Sequence, residues 1–200
     1  MSFSTEEAQS FIGPLKRKTS TFLVEGRGAN LALAKAMMAL LATAGDSCMV
    51  LDLDAMYASN SDIIFGQLPA TFNRSTTIDV PGPQSSVESE FSLLFSSDPR
   101  IIIIDSLNTL HHLLSEDGGT SRSRKFSFVV AILSYLARTG GKAVIFTMYR
   151  REGLGRARGG RSISSLSDVT ASVEARDSEL SVTCDRGTAW SGGKVSIRVP

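Results

Sequence analysis

The sequence predicts an α/β protein with a mostly parallel sheet covered by helices on both faces, and three observations support this prediction. The run Ile101–Ile104 is β-branched throughout without polar alternation, which is typical of a strand buried on both faces. Strand-like and helix-like segments alternate between residues 21 and 147, as they do in parallel sheets. From Val169 onward only strand-like alternation remains, which predicts antiparallel C-terminal hairpins.

Length and composition limit the possible classes of protein. The 200 residues, 42% of them hydrophobic, can bury one good core, so we expect a single domain, 1–200, with an N-terminal arm, 1–20. The formal net charge of +1 excludes a protein-wide field that attracts nucleic acid, so any basic surface must be local. The distant Cys48 and Cys184 fit a reduced compartment better than a disulfide scaffold. No apolar stretch approaches the roughly 20 residues that cross a bilayer, so we expect no membrane partner and a cytoplasmic protein, or a nuclear one in a eukaryote.

The first half of the chain has the patterns of alternating helices and strands. The arm predicts a helix over Thr5–Ile12, and a glycine-containing turn then separates a strand from a helix. The predicted elements are the strand Thr21–Glu25, the helix Asn30–Ala44, the strand Cys48–Asp54, a short helix Asn60–Leu68, the strand Thr76–Val80 and an amphipathic helix from Val87 to Phe95.

The second half begins with the isoleucine strand and ends in strands alone. A polar stretch, Ser115–Lys125, is too charged and glycine-rich to be core, and Met148–Ser167 has no periodicity, which predicts a long loop. The other predicted elements are the helix Lys125–Arg138, the strand Lys142–Thr147 and the strands Val169–Ala175, Leu180–Cys184 and Val195–Val199.

Two features could carry chemistry at the ends of these strands. Strand, glycine turn and helix follow one another around Gly26 and Gly28, a setting in which backbone N–H groups and a helix dipole bind phosphate. Asp105 ends the isoleucine strand, at the edge where open α/β sheets bind ligands and where an acid can hold Mg²⁺ or order a water. The alternative is that Asp105 only caps the next turn.

In this order, these features resemble the core of the RecA-like recombinase superfamily from about Gly13 onward. Ile104–Leu107 resembles the Walker B strand of that family, and Asp52-Leu53-Asp54 falls where the family has an Asp, a spacer and the catalytic glutamate. Three further matches are the strand before the second DNA-binding loop, at Lys142–Thr147, and the closing hairpins, at Cys184–Gly187 and Gly193–Ile197. The resemblance implies a RecA-like fold and a nucleotide site.

The nucleotide site is degenerate in this sequence. A working phosphate loop needs a lysine for the phosphate oxygens and a Ser or Thr hydroxyl for Mg²⁺, and the turn has neither. Asp54, in place of the glutamate, is one methylene shorter. The residues at this degenerate site are Gly26, Arg27, Gly28, Asn30, Asp54 and Asp105. We therefore expect no ATP hydrolysis and no cofactor, although an anion bound with Arg27 in place of the lysine stays an alternative to a plain strand-to-helix joint.

A dense group of arginines is the best remaining candidate for a working surface. Arginine binds phosphates through a planar donor fork and stacks on bases, and the glycines between the arginines let the chain follow a strand. The candidate residues for nucleic-acid binding are Tyr149, Arg150, Arg151, Arg156, Arg158 and Arg161, with Arg122, Arg124 and Lys125 where the resemblance implies the first DNA-binding loop. A solvated basic loop without a ligand is the alternative.

Other notable residues favour structural roles. His111 and His112 have no cysteine or third histidine nearby, so we expect surface or turn residues rather than metal ligands, and no metal site. Trp190 predicts hairpin packing, or stacking on a base if it is exposed. Met37 and Met38 are expected in a helix core.

Three functional hypotheses follow. The first is a recombinase paralog, an accessory protein of DNA recombination or repair that binds single-stranded DNA or RNA, or a recombinase or paralog partner, without ATP turnover. The family's self-assembly motif, a Phe and an Ala three residues apart, is not evident at Phe3–Glu6, so a dimer or mixed complex is expected rather than a filament. The second is a scaffold subunit resembling the RecA-like ring of the tRNA-modifying Elongator complex. The third is a divergent active ATPase that uses Arg27 and Asp105.

Overall fold

The computed structural model describes residues 3–26, 28–79, 92, 98–114, 121–149, 167–176 and 178–199. The described strands are β1 (Thr19–Glu25), β2 (Cys48–Asp52), β3 (Thr76–Asp79), β4 (Ile101–Asp105), β5 (Ala143–Tyr149), β6 (Val169–Arg176), β7 (Glu179–Arg186) and β8 (Lys194–Arg198). The described α-helices are α1 (Thr5–Ile12), α2 (Ala29–Ala44), α3 (Met56–Ser59), α4 (Ser61–Phe65), α5 (Ala70–Ser75), α6 (Leu107–Leu113) and α7 (Ser121–Gly140). Short 3₁₀ turns lie at Gly13–Leu15 and Ser191–Gly193.

The described strands form one mixed sheet in the order β3-β2-β4-β5-β1-β6-β7-β8. Neighbouring strands from β3 to β6 are parallel, whereas β6, β7 and β8 pair in antiparallel fashion. The prediction of a mostly parallel sheet with antiparallel C-terminal strands is therefore confirmed. Because β1, β2, β4 and β5 run in the same direction, the residues that follow them meet at one edge of the sheet, which we call the carboxyl edge.

Helices cover both faces of the parallel part, as predicted. Successive residues of β4 point to opposite faces, and Ile101–Ile104 are each at most 1% exposed. Ile101 and Ile103 pack in one core cluster with α1 and α2, while Ile102 and Ile104 pack in a second cluster with α6 and α7. The N-terminal arm belongs to the first cluster, since Phe11 of α1 is buried there.

Several element boundaries differ from the predictions. Strand β2 ends at Asp52 rather than Asp54, and the helix predicted over Asn60–Leu68 is only α4, with the separate turn α3 before it. Helix α7 begins at Ser121 rather than Lys125, and β5 continues to Tyr149 instead of giving way to a loop at Met148. The predicted helix from Val87 to Phe95 and the rest of the predicted loop, 150–166, lie outside the described residues. In the described part of the chain, no helix is both long and apolar enough to span a membrane.

Candidate functional site

Three carboxyl groups meet at the carboxyl edge. Asp52 and Asp105 are the last residues of β2 and β4, and they lie side by side in the register of these two parallel strands. Asp54 follows in the turn after β2, where the N–H groups of Leu53 and Asp54 donate to the main-chain oxygen of Asp105 at 2.7 and 3.3 Å. Asp54 and Asp105, two residues of the predicted nucleotide site, therefore lie close together, and Asp52 lies beside them.

Asp105 is fully buried, and only one of its carboxyl oxygens has hydrogen-bond donors. Its Oδ1 accepts hydrogen bonds from the Thr147 hydroxyl and the Tyr149 phenol, both on the neighbouring strand β5. Its Oδ2 has no hydrogen-bond partner among the described residues. Burial raises the pKa of Asp105 to about 6 against the lowering effect of these two hydrogen bonds, and the charges of Asp54 and Asp52 add to the rise. A group so placed is partly protonated near neutral pH.

Asp105 does not cap the helix that follows it. That role falls to Ser106, whose hydroxyl accepts a hydrogen bond from the Thr109 N–H at 3.4 Å at the start of α6. The alternative interpretation of Asp105 as a cap is therefore wrong. Its buried carboxyl also offers no exposed oxygen to a metal ion in this arrangement, because the residue is 0% exposed.

Asp52 and Asp54 play different parts in the turn that follows β2. The carboxylate of Asp52 accepts the N–H groups of Met56 and Ala58, each at 2.8 Å, and so holds α3 against the end of the strand. These bonds explain why β2 ends at Asp52, and burial raises the pKa of that carboxyl. Asp54 is exposed and accepts a hydrogen bond from the Thr109 hydroxyl of α6. Only Asp54 of the three carboxyl groups is open to solvent.

Tyr149 belongs to this cluster and to β5 rather than to a basic loop. Its side chain is half-buried, and the charge of Asp105 adds to burial in raising the pKa of the phenol. Its main-chain N–H donates to the Asn108 Oδ1 at 2.9 Å, and the Asn108 Nδ2 donates back to its carbonyl at 3.4 Å. The prediction that Tyr149 is an aromatic residue of the loop is therefore wrong, and Asn108 of α6 holds the last residue of β5 in place.

The glycine turn joins β1 to α2 as predicted, without a side chain that caps the helix. Gly26 and Gly28 have φ angles of 91° and 78°, a left-handed conformation that other residues adopt with strain. Gly28 is the N-cap of α2, and no side chain hydrogen-bonds to this cap. Asn30 is half-buried in the first turn of the helix, and Arg27 lies outside the described residues. The turn ends at the carboxyl edge, two strands from Asp105, about 10 Å at the spacing of neighbouring strands.

Some of the basic candidates lie in a helix, and the others lie outside the described residues. Arg122, Arg124 and Lys125 lie in the first turns of α7 rather than in a loop, and the side chains of Arg124 and Lys125 are exposed. Helix α7 leads back from the carboxyl edge to the start of β5, so its basic first turns lie toward the same edge as Asp105. The remaining arginines, Arg150, Arg151, Arg156, Arg158 and Arg161, lie outside the described residues.

Several other sequence predictions can be compared with the structure. His111 is not in a turn but in α6, where its ring packs edge-on against Phe126 at 5.1 Å, while His112 of the same helix is exposed. Trp190 packs as predicted, stacked on Phe11 at 5.2 Å with its indole N–H donating to the Phe11 carbonyl. Met37 and Met38 are buried in α2, also as predicted. Within the described ranges, no group of three or more His, Cys, Asp or Glu side chains could hold a metal ion.

Sequence reasoning missed the hydroxyl and phenol groups around the carboxylates. Tyr57 of α3 is buried, and burial followed by the charge of Asp105 raises the pKa of its phenol. Thr147 and Tyr149 could have been found together, because residues two apart on a strand share a face. The cluster can hold and release a proton at Asp105 and presents one exposed carboxylate at Asp54. When the chain is compared with known proteins, no protein-family model matches it, and no curated protein matches it either.

Proposed function

We propose that this chain is a RecA-like accessory protein of DNA recombination or repair that binds single-stranded nucleic acid and does not hydrolyse ATP. The mixed sheet with antiparallel C-terminal strands is compatible with that resemblance. The single observation that carries the proposal is the group of five arginines between Arg150 and Arg161, in a chain of net charge +1, directly after β5 ends at the carboxyl edge. A charge density so local suits a polyanion.

The chemistry of the carboxyl edge supports the absence of hydrolysis. The turn between β1 and α2 lacks the lysine and the hydroxyl that hold a triphosphate and Mg²⁺. Asp105, where the resemblance implies the Walker B acid, is buried and bonded to Thr147 and Tyr149. Asp54 keeps a carboxylate at the position of the catalytic glutamate, but its side chain is shorter and accepts a hydrogen bond from Thr109.

The length of the segment that carries the arginines also supports the proposal. Both β5 and β6 pair with β1 in parallel, and Tyr149 lies beside Val24 while Val169 lies beside Ser20. The two ends of the connection are therefore only about 16 Å apart, at roughly 3.3 Å per residue along the strands and about 4.8 Å between strands. Residues 150–166 could reach about 55 Å when fully extended. The segment is long enough to extend along a bound strand as well as to close the connection.

The proposal is tested by measuring how binding to labelled oligonucleotides depends on salt. If all five arginines neutralise phosphates, the log–log slope of affinity against salt should be about −3.5 at roughly 0.7 per contact, and it should fall by about 2 in the variant R156A/R158A/R161A. The matched control R176A/R186A/R198A removes three exposed arginines from β6, β7 and β8 and should keep the wild-type slope.

Two outcomes would contradict the proposal. Equal slopes for the two triple variants would remove the arginine-rich segment from the site, and no binding of the wild-type chain to any oligonucleotide would remove the function. Single-stranded DNA, duplex DNA and tRNA are compared in the same series. A marked preference for tRNA would favour the ring scaffold of the second hypothesis over the recombinase paralog.

A further inference from the structure

Strand β8 is the last strand of the sheet, and its outer edge has no neighbouring strand among the described residues. Just after β8, the Val199 N–H donates to the carbonyl of Ser178, which lies just before β7, at 2.8 Å. In an antiparallel pair, residues that exchange hydrogen bonds with the neighbour alternate with residues whose main-chain groups point away. In the register of β7 and β8, Val195 and Ile197 therefore bond to β7, whereas the N–H and C=O of Ser196 face the open edge.

A cavity of about 480 Å³ lies beside this open edge, between α1 and β8. Its volume is within the range of pockets that hold small ligands. Ser196 and Arg198, whose side chains alternate with those of Val195 and Ile197, also line the cavity, so it opens at the edge of the sheet. We call it the edge groove, and its apolar lining residues are Phe3, Phe11, Leu40, Val195 and Ile197.

An open strand edge beside an apolar groove suits an extended peptide. A peptide that adds a strand to a sheet gains main-chain hydrogen bonds, and pockets beside the edge select its alternate side chains. Side chains that lie opposite one another on paired strands share a face of the sheet. Residues of an added strand opposite Val195 and Ile197 would therefore point toward the edge groove. The lining of the groove selects apolar side chains at these two positions.

The charges of β8 indicate which residues flank these two positions. Lys194 and Arg198 are the first and last residues of the strand, and both are exposed. Glu179 of β7 lies opposite Arg198 in the register, yet neither cation forms an ion pair within the described ranges. An added strand with Asp or Glu opposite Lys194 and Arg198 would gain cross-strand pairs of opposite charge.

The same charges disfavour a second copy of this chain at the open edge. In an antiparallel pair of β8 strands centred on Ser196, Lys194 of each copy would lie opposite Arg198 of the other. Like charges directly opposite each other on paired strands are destabilising. Charged side chains on edge strands are also a general means by which sheets avoid pairing with their own copies. The edge therefore favours an acidic strand over the chain's own β8.

We propose that the open edge of β8 binds an extended peptide of a partner protein, with two alternate apolar side chains in the edge groove and flanking acids opposite Lys194 and Arg198. The site uses none of the residues assigned to nucleic-acid binding and does not depend on the proposed function. A short peptide loses conformational freedom when it is ordered along a strand, so we expect micromolar rather than nanomolar affinity.

The probe for this site is a phage-displayed library of short linear peptides, selected with the full chain. Selected peptides should have two apolar residues separated by one position, with Asp or Glu on both outer sides. The variant S196P removes the outward N–H, and proline is tolerated on an edge strand where the N–H faces solvent. It should weaken binding at least tenfold, whereas the control S196A keeps the N–H and should bind as the wild type does.

A second pair of variants tests the edge groove without altering β8. Ser10 is exposed on α1 and lines the groove, so S10W should fill the space and weaken binding at least tenfold. Gln9 is its exposed neighbour on the same helix and does not line the groove, so Q9W serves as the matched control. The comparison of S10W with Q9W decides the case if proline unfolds β8.

Charge reversal tests the flanking positions. The variant K194E/R198E should select peptides with Lys or Arg where the wild type selects acids. Selection of no peptide by the wild type, selection without a preference for acids, or undiminished binding of S10W would overturn the proposal. So would a wild-type dimer in sedimentation that S10W converts to monomer, since this result would assign the edge to a second copy.

Discussion

The buried carboxyl groups at the two edges of the parallel sheet have different kinds of partners. At the edge where the strands begin, Asp46 is 1% exposed and lies 3.1 Å from the Lys16 ammonium and 3.4 Å from the Arg100 guanidinium. At the carboxyl edge, the groups that hydrogen-bond to Asp52 and Asp105 are N–H and hydroxyl donors. In the part of the chain that the structure describes, no lysine or arginine pairs with either of them.

At one edge the buried carboxylate has cationic partners, whereas at the other edge the buried carboxyl groups have only neutral hydrogen-bond donors. The charge of Asp46 is balanced within the fold by Lys16, which follows the 3₁₀ turn after α1, and by Arg100, which precedes β4, although the Oδ2 of Asp46 accepts no hydrogen bond among the described residues. A buried acid without a cation lowers the stability of the folded state at neutral pH, and such groups concentrate at functional sites. Strand β5, which the arginine-rich segment follows in the sequence, ends at this second edge, and this is one ground for the nucleic-acid surface proposed above.

The largest expected effect comes from neutralising Asp105. Because burial raises the pKa of this carboxyl from 3.8 to about 6, the folded state binds its proton more tightly than the unfolded state does. Its stabilising contribution is complete below about pH 4 and is lost as pH rises through about 6. The variant D105N should therefore gain stability relative to the wild type by about 3 kcal/mol between pH 4 and pH 8, at 1.36 kcal/mol per pKa unit.

Urea unfolding over this pH range measures the gain. The control D62N changes an exposed carboxyl of α4 and should follow the wild-type pH dependence. A D105N curve parallel to that of the wild type would mean that Asp105 is ionised in the folded state without penalty, and the contrast between the two edges would disappear.

A smaller and opposite effect is expected at the other edge. The variant D46N removes the charge that holds Lys16 and Arg100, and it should lower the free energy of unfolding by about 1–2 kcal/mol at neutral pH. The loss stays below the 3–5 kcal/mol of a fully buried pair because the Lys16 and Arg100 side chains, 37% and 73% exposed, can turn to water. Denaturant unfolding checks this value.

The matched control at this edge is a pair on the surface. E174Q breaks the exposed ion pair between Glu174 and Arg176, whose side chains are 49% and 82% exposed, and should change stability by less than about 0.5 kcal/mol. If D46N were as mild as E174Q, the Asp46 pairs would be no more structural than surface pairs.

The smallest effect should come from the phenol of Tyr149. The variant Y149F removes one of the two donors to the Asp105 carboxyl, and the loss of a hydrogen bond that lowers the pKa of Asp105 should raise that pKa further. The pH at which stability falls should move upward, with a loss of about 1 kcal/mol at pH 8. Y135F, which removes an exposed phenol on α7, serves as control. Identical pH curves for Y149F and the wild type would show that the phenol does not act on Asp105.

The pattern of apolar and polar residues along the chain was enough to predict elements whose conformation depends mainly on neighbouring residues. Ile101–Ile104 can be buried on both faces only in a covered sheet, and Thr5–Ile12 is helical within its predicted bounds. The start of α7 was missed because Arg122, Arg124 and Lys125 precede its first buried residue and have the composition of a loop. Helical periodicity becomes visible only from Phe126 onward.

The sequence predicted the acids of the candidate site but not the groups that hydrogen-bond to them. The order of motifs placed Asp105 at a strand end, yet the donors to its carboxyl come from β5, about forty residues later in the chain. Only the strand order, in which β4 lies beside β5, brings Thr147 and Tyr149 to Asp105. Strand β2 was extended to Asp54 because alternation continues through Leu53, whereas the hydrogen bonds from Met56 and Ala58 to Asp52 turn the chain earlier.

The central claim is that the carboxyl edge keeps its acids but lacks the groups that hold a triphosphate. Calorimetric titration of the full chain with ATP, in the presence and in the absence of Mg²⁺, tests this claim most directly. We predict no measurable binding of nucleotide under either condition. A micromolar dissociation constant that depends on Mg²⁺ would contradict the claim and would favour the divergent ATPase.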